Sequence, residues 1–592
     1  DIPGIAVTSV HGQHLLASAL VQALARLTSL EVVEQVGVVQ RGHLPQRPRR
    51  FRPELKPVPL EMRGEEPFNR QGLTGDGVIV GIIDTGIDWR HEDFCHADGS
   101  TRILYLWDMV DTSYEDSDGD IGQEAPVNQE FLGVVMDLSL GTLYSAADID
   151  RALAGGDVCN AADSYGHGTA CASVAAGDGS ATDNGVPAGT WAGIAPEADI
   201  IVVRAGAESF DDDYLEAVEW VFTKADELGR PCVINLSLGG HYSAHDGYEP
   251  EEQFLNDLVG AGRPGRVICA SAGNEGRESF HAGVRYGPAV DGQADVESAA
   301  IEVFVKEHTE LHAYFPREDD WGLALMGRDE FLMDDWGDPA IAYIHAIDDV
   351  MNIASSYYLP VDSLLDWYHT FVFTDEGLSH ERLVIPLPPG DYYAWAYGPT
   401  EKVADGVCDL YFPIPAHGSF GDGTVKSAMV GTPGNADNLI TVGSYDFRVN
   451  WSNVDGGTTQ YNLEDGGISD YSSPGYRRDG VIKPDIAAPG RFAVSALAVG
   501  STMAEEGGSS HTTSDGYHLA WEGTSAAAPY VAGVVALMLQ KNPDLDAPRI
   551  KEILQRTATN DRQTGSTPNP VWGHGKINPE AALKATPAPG DE

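Results

Sequence analysis

The chain is short of positive charge. Its 592 residues carry 37 Lys and Arg against 90 Asp and Glu, a formal net charge of −53 at pH 7. Nucleic acid and anionic membrane surfaces are thereby disfavoured as partners, since both would be repelled. Three settings fit such a balance: high salt, cation binding, or solubility outside the cell. The acids are scattered and Arg outnumbers Lys, which favours a saline or extracellular setting and hence a secreted protein. Long apolar runs are also missing. The most apolar stretch, Val531 to Leu539, is interrupted by Gly533 and falls well short of the about 20 residues of a membrane-spanning helix. Cysteine is scarce, six residues in all, with no C-x-x-C pair and no metal-like spacing, which speaks against a structural zinc site. Cys95 and Cys159 flank one long insertion and are a candidate pair to bridge its base, although six cysteines allow many pairings. No methionine opens the chain and no charged, apolar leader follows, so it reads as a processed or trimmed product; this says nothing of its compartment.

What is present suffices for a large core and more than one domain, with an ordinary apolar content of 42%. Residues 1–45 read as strand, helix, strand: GIAVTSV, LLASALVQALARL and EVVEQVGVV. Residues 46–74 are rich in Pro and Arg and read as a linker. From about Gly77 the apolar strands GVIVGIIDTG, ADIIVVRAG, PCVINLSLGG and RVICASAGN alternate with amphipathic helices such as DDDYLEAVEWVFTKADELG. Continuous apolar strands alternating with helices predict an α/β fold with a parallel sheet covered on both faces. Chemistry in such sheets gathers beyond the carboxyl ends of the strands. Here those ends carry Asp84, the run Asn235 to Gly240, and Asn274. Between about 290 and 428 the texture changes to short alternating strands with Pro and Gly, which predicts an inserted antiparallel β-sandwich. In DYYAWAYG, Tyr393, Trp395 and Tyr397 share one strand face: a sugar-stacking platform or, more commonly for such faces, core.

Four polar positions stand out, and each has an ordinary reading beside the catalytic one. Asp84, in IIDTGID, is a turn residue or a catalytic carboxylate. His167 lies between two glycines at a helix start, as a cap or as a base that backbone and substrate approach closely. Asn274, in ASAGNEG, is a turn asparagine or an amide donor to a developing oxyanion. Ser525, in GTSAAAP, opens a helix of small residues, as a cap or as a nucleophile at a helix N-terminus that favours negative charge.

Taken together, VIVGIIDTGID, GHGT, INLSLGG, ASAGNEG, IKPDIAAPG and GTSAAAPYVAGVVALM resemble the subtilisin-like serine proteases, the subtilases, over about residues 75–283 and 430–585. The resemblance implies a three-layer αβα fold and a serine endopeptidase. In such an enzyme Ser525 would attack the carbonyl, His167 would carry the proton, Asp84 would orient His167, and Asn274 would hold the oxyanion. It also implies that an extended peptide adds to the strand edge Ser237–Gly240. Leu238, Gly239, Gly240, Ala272 and Gly273 would then wall a roomy, mostly apolar primary pocket of broad specificity. The expected division is a propeptide-like segment at 1–45, the linker at 46–74, catalytic parts at 75–288 and 429–592, and the insert at 289–428. The long span from Asp84 to His167 and the inserted β-domain resemble the spore-germination subgroup. No cofactor is needed for such chemistry. Asp93 falls where compact relatives bind calcium, although the usual partner loop is not recognisable. The expected partners are protein or peptide substrates, with the chain's own propeptide as a further candidate, and the expected state is a monomer. Departures from the family pattern are Ala170 and Cys171 after GHGT, Ala526 after the nucleophile and Tyr530 after the proline. Cys171 so close to His167 is either a small buried hydrophobe or a source of mercury and thiol-reagent sensitivity. The competing readings are an inactive relative that binds through the insert, and an esterase; the latter is disfavoured by G-T-S-A-A in place of G-x-S-x-G.

Overall fold

The computed structural model describes residues 70–111, 129–131, 134–136, 141–156, 159–206, 209–210, 213–286, 295–316, 321–327, 342–346, 368–372, 380–387, 389–399, 406–421, 423–464 and 466–590. It also describes the strand backbone at 5–11, 14–19 and 42–43. Nine strands form the central sheet, numbered here along the chain: β1 (Ile79–Asp84), β2 (Ile103–Asp108), β3 (Thr142–Ser145), β4 (Asp199–Arg204), β5 (Cys232–Leu236), β6 (Arg266–Ser271), β7 (Ile440–Asp446), β8 (Ile486–Ala496) and β9 (His518–Glu522). Their spatial order is β9-β8-β7-β6-β5-β1-β4-β2-β3, parallel throughout except at the two edges, where β9 and β3 run antiparallel. Every residue of β1 and β5 is buried, as continuous apolar strands covered on both faces require. From β1 the chain goes out to β2 and the edge strand β3, returns to place β4 beside β1, then crosses β1 to lay down β5 to β8. That reversal puts the topological switch between β1 and β5, so the crevice beyond their carboxyl ends is where Asp84 and Ser237 emerge.

Helices α1 (His167–Ala176), α2 (Asp213–Glu227), α3 (Pro250–Val259) and α4 (Thr524–Lys541) cover the sheet. The residues of α1 are all buried, and so is most of α4. Their small side chains let these two helices pack on each other and on β8, which brings His167 and Ser525 into one neighbourhood.

The insert leaves after β6 and returns before β7. One of its sheets runs, in spatial order, through 281–285, 407–411, 309–316, 380–387 and 368–372; the other through 342–346, 321–327, 390–399, 301–305 and 418–420. Residues from both, including Leu311, Phe315, Leu410, Val303, Leu323 and Ala394, share one apolar cluster, as in a β-sandwich. Strand His281–Arg285 already belongs to this sandwich, so it begins before the expected residue 289. Along 390–399 it is Ala394 and Ala396 that are buried in the core, while Tyr393 and Trp395 lie half-buried on the opposite face. The core reading of this aromatic face is therefore corrected by the strand's pleat; the side chain of Tyr397 lies outside the described residues.

At the N-terminus, Ile5–His11 pairs antiparallel with His14–Ala19, in register His11 with His14. The stretch expected to start a helix at Leu15 instead begins as the return strand of a tight hairpin. The rest of that segment, 20–41, and most of the linker lie outside the described residues. All six cysteines are free, which corrects the Cys95–Cys159 pairing. The Cys159 thiol is buried, and burial lifts its pKa to about 12. Among the described residues no helix is long and apolar enough to cross a membrane.

Candidate active site

β1 ends in Asp84, whose carboxylate is fully buried. Its Oδ1 accepts hydrogen bonds from Thr85 N and from His167 Nδ1, each at 2.7 Å. A carboxylate cannot donate, so Nδ1 carries the proton and Nε2 is left as the acceptor. Close approach of α1 to β1 makes this bond possible: a Cβ on Gly168 would lie 2.1 Å from Gly86 O and 3.1 Å from Asp84 Cβ. Asp163 fixes the start of α1. Its carboxylate accepts from Gly166 N, Thr169 N, Thr169 Oγ1 and Thr85 Oγ1 at 2.6–2.9 Å. Trp521 on β9 closes the other flank of the imidazole, edge to face at 5.4 Å between ring centroids.

α4 begins directly after β9, and β9 is pinned to β8 by Arg491, whose Nε donates to Glu522 Oε2 at 2.8 Å. Ser525 therefore sits at the first turn of a buried helix whose entry is fixed. Its Oγ lies 3.4 Å from Ser237 O, and its carbonyl accepts from Ser237 Oγ at 3.0 Å. Cys171, one turn into α1, joins the two halves: its Sγ is 3.4 Å from Ser525 O and 3.8 Å from His167 Nδ1. Burial, with the nearby Asp84 charge, pushes this thiol well above its ordinary pKa, so it behaves as a packed, unreactive group. Asp84, His167 and Cys171 hold ligand atoms within 4.8 Å of one another, but His167 Nδ1 is committed to Asp84.

Asn274 follows the end of β6. Its Oδ1 accepts from Thr524 N at 2.8 Å and from Thr524 Oγ1 at 2.9 Å. Two donors on the oxygen fix the sense of the amide and leave the NH₂ group as the outward face. The residue directly before the nucleophile thus aims the amide, and Thr524 Oγ1 in turn accepts from Gly273 N at 3.2 Å.

The expected pocket residues lie on two neighbouring strand ends. Ser237 to Gly240 follow β5, and Ala272 and Gly273 follow β6. A third segment, Gly431–Thr432, closes the space between them: Gly240 and Thr432 exchange both backbone hydrogen bonds, and Gly431 N donates to Ala272 O at 3.2 Å. The Leu238 side chain packs in the main core, so this residue offers backbone to the crevice.

Asp93 stands apart from this constellation. Its Oδ1 accepts from Ala181 N and its Oδ2 faces His518 Nε2, both at 2.9 Å, while His518 Nδ1 faces Asp515 Oδ2 at 3.0 Å. With a carboxylate on each nitrogen the ring has the surroundings of an imidazolium. Burial opposes its charge, but the hydrogen bonds to Asp515 and Asp93 outweigh that and lift its pKa to about 9. Both oxygens of Asp93 are thus engaged by protein groups in this structure, an arrangement that does not fit a calcium ion.

Asp84, His167, Asn274 and Ser525 are thus gathered at the carboxyl edge of the sheet, and Asp93 is not among them. Missed from the sequence were Thr524, Asp163, Trp521, Gly431–Thr432 and the His518–Asp515 pair. Thr524 and Asp163 stood in plain view inside GTS and DSYGHGT; His518 lies 425 residues from Asp93 and gave no local signal.

The model of the Subtilase family matches residues 75–301 and 404–575. The Bacillus subtilis serine protease AprX is 33% identical over 163 residues, 28% of this chain and 34% of its own length. The Arabidopsis thaliana subtilisin-like protease SBT3.3 is 22% identical over 543 residues, 86% of this chain and 63% of its own. The chain therefore spans between one third and just under two thirds of these relatives. Among solved structures, the Clostridium perfringens CspB protease superposes with a TM-score of 0.62 at 21% identity, over 87% of this chain and 96% of that one.

Proposed function

The chain belongs to the subtilase family, and from that premise we propose that it is a serine endopeptidase whose nucleophile is Ser525. His167, protonated at Nδ1 and held by Asp84, takes the Ser525 proton at Nε2 and returns it to the leaving amine. Rotation about the Cα–Cβ bond of Ser525 swings its hydroxyl from the Ser237 carbonyl toward that nitrogen. The Asn274 NH₂ group and the Ser525 backbone N–H receive the oxyanion. The observation that carries this reading is the double clamp of Thr524 on Asn274 Oδ1. An ordinary turn asparagine has no need of an amide whose oxygen is held by the nucleophile's turn so that its donor side faces outward.

The substrate lies as an added strand along Ser237–Gly240, with its side chain between that wall and Ala272–Gly273, in a mostly apolar and broadly accepting pocket. The catalytic unit comprises the two parts on either side of the insert and acts as a secreted monomer, a setting supported by the net charge of −53. Residues 1–45 act as an inhibitory propeptide-like segment; a retained Asp1 in the mass spectrum of fully active enzyme would argue against this. No cofactor takes part in the chemistry, and the Asp93 site works without calcium.

A fluorophosphonate probe tests the central reading. It should label the wild-type protein at Ser525 and leave Ser525→Ala unlabelled, with peptide hydrolysis lost in parallel. Labelling elsewhere, or hydrolysis that survives the substitution, would overturn the assignment.

A further inference from the structure

The wall Ser237–Gly240 does not end within the catalytic unit. The loop that follows it enters the inserted sandwich: Ala244 is fully buried in the sandwich's apolar cluster. Tyr242 O accepts from Arg382 Nη1 at 2.7 Å, and Ser243 O accepts from Tyr314 Oη at 2.8 Å. Both donors belong to the insert, so the exit of the wall is held by a domain other than its own.

From this loop a column of rings runs back to the pocket. His281 lies face to face with Tyr411 at 4.2 Å, Tyr411 with His245 at 4.4 Å, and His245 with His241 at 5.3 Å, none tilted by more than 17°. At the sandwich end His281 Nε2 pairs with Asp409 Oδ1 at 3.0 Å, and Asp409 accepts from Arg478 Nε at 2.7 Å. At the pocket end His241 Nε2 pairs with Glu275 Oε2 at 3.2 Å. That carboxylate oxygen sits 2.6 Å from where a Cβ on Gly273 would be and accepts from Ser473 Oγ at 3.0 Å. Glu275 thus lies directly behind one proposed pocket wall, and His241 directly follows the other. Among the described residues, His241 Nδ1 and His245 Nε2 are buried without a hydrogen-bond partner. His245 Nδ1 faces Val430 O at 2.8 Å, so the imidazoles tie the column to the backbone beside Gly431–Thr432 and to Glu275 as phenylalanines could not.

We propose that the inserted sandwich is a positioning domain for the primary pocket. In this arrangement Tyr411, acting through His245 and His241, fixes Glu275 and the Gly239–Gly240 wall, and so sets which side chain before the scissile bond is accepted. The inference rests on the pocket assignment made above. Tyr411 and His245 touch no reacting atom; they are positioning residues.

The test compares Tyr411→Leu, Tyr411→Phe and His245→Leu on a panel of peptide substrates that differ only in the residue before the scissile bond. A small fluorophosphonate without such a side chain serves as a second readout. Leu323→Ala, in the other sheet of the sandwich, controls for general loosening. Tyr411→Leu and His245→Leu should raise KM for large apolar side chains by about ten-fold or more relative to alanine, the scale of a misfit in a hydrophobic pocket. Their kcat and rate of fluorophosphonate labelling should stay near wild type. Tyr411→Phe keeps the stack and should keep the profile. An unchanged KM ratio in both leucine variants, or the same shift in Leu323→Ala, would overturn the proposal, as would failure of both leucine variants to fold while Leu323→Ala folds with its profile altered. Absence of labelling at Ser525 in the wild type would instead sink the functional reading beneath it, so the two failures are distinguishable.

Discussion

The two flanks of Ser525 are braced by different means. On the His167 side every support comes from the catalytic unit and is short: Asp163, Thr85 and Thr169 hold the head of α1, and Cys171 packs between the helices. On the pocket side the wall continues into a loop that Tyr314, Arg382 and Tyr411 of the insert hold in place. In the proposed reading the proton-transfer groups are thus braced apart from the sandwich, whereas the proposed pocket wall is not. If both proposals hold, a change in the insert retunes selectivity without touching the chemistry.

The largest test of that division is the chemistry itself. Ser525→Ala or His167→Ala should lower kcat by about 10⁶, and Asp84→Asn by about 10⁴, with the melting temperature of the protein little changed. A comparable loss of kcat from a sandwich substitution would break the comparison. Asn274→Ala should cost about 10²–10³ in kcat with little change in KM. Thr524→Val, which removes the hydroxyl clamp but keeps the Thr524 N–H bond, should cost less than Asn274→Ala. Equal losses would mean that the hydroxyl alone orients the amide.

A third test concerns stability on the His167 side, where β9 meets Asp93. The folded pKa of His518 is raised to about 9 from an unfolded value near 6.5. Its contribution is therefore fully present below about pH 6.5 and lost as pH rises through about 9, amounting to roughly 3 kcal/mol for a shift of this size. Thermal melts should fall between pH 7 and pH 10 in wild type and flatten in His518→Gln, with chelator making no difference to either. A chelator-dependent melt would restore calcium to Asp93. The smallest expected effect is at Cys171. Iodoacetamide should leave native activity unchanged, because only a thiolate reacts and this thiol is buried with its pKa raised; inhibition that Cys171→Ala abolishes would show that the two flanks open in solution.

Much of this was legible in the sequence, and the reasons differ by element. Asp84, His167, Asn274 and Ser525 each lie in a short motif at a strand end or helix start, where local spacing already dictates direction. The central strands were readable because burial on both faces leaves continuous apolar runs. Contacts between distant segments were not: the Asp93–His518 pair and the His241–Tyr411 column join positions with no shared local pattern. The helix expected at Leu15 failed because six residues of mixed apolar and small side chains satisfy either period. Strand His281–Arg285 was assigned to the wrong unit because its pairing partner, Val407–Tyr411, lies more than a hundred residues onward. The pleat of 390–399 was ambiguous for a different reason: alanine and aromatic residues alternate there, and either set is apolar enough to be core.

The order of the parts along the chain also has a consequence in time. Cys171 and Ser525, which touch in the folded protein, are separated by 354 residues. A ribosome adding about 5–20 residues per second needs roughly twenty seconds to a minute to cover that distance. Throughout that interval Asp84 and His167 have been made and Ser525 has not. On the proposed function, a chain made in this order has no complete cutting site until the whole sandwich has been synthesised.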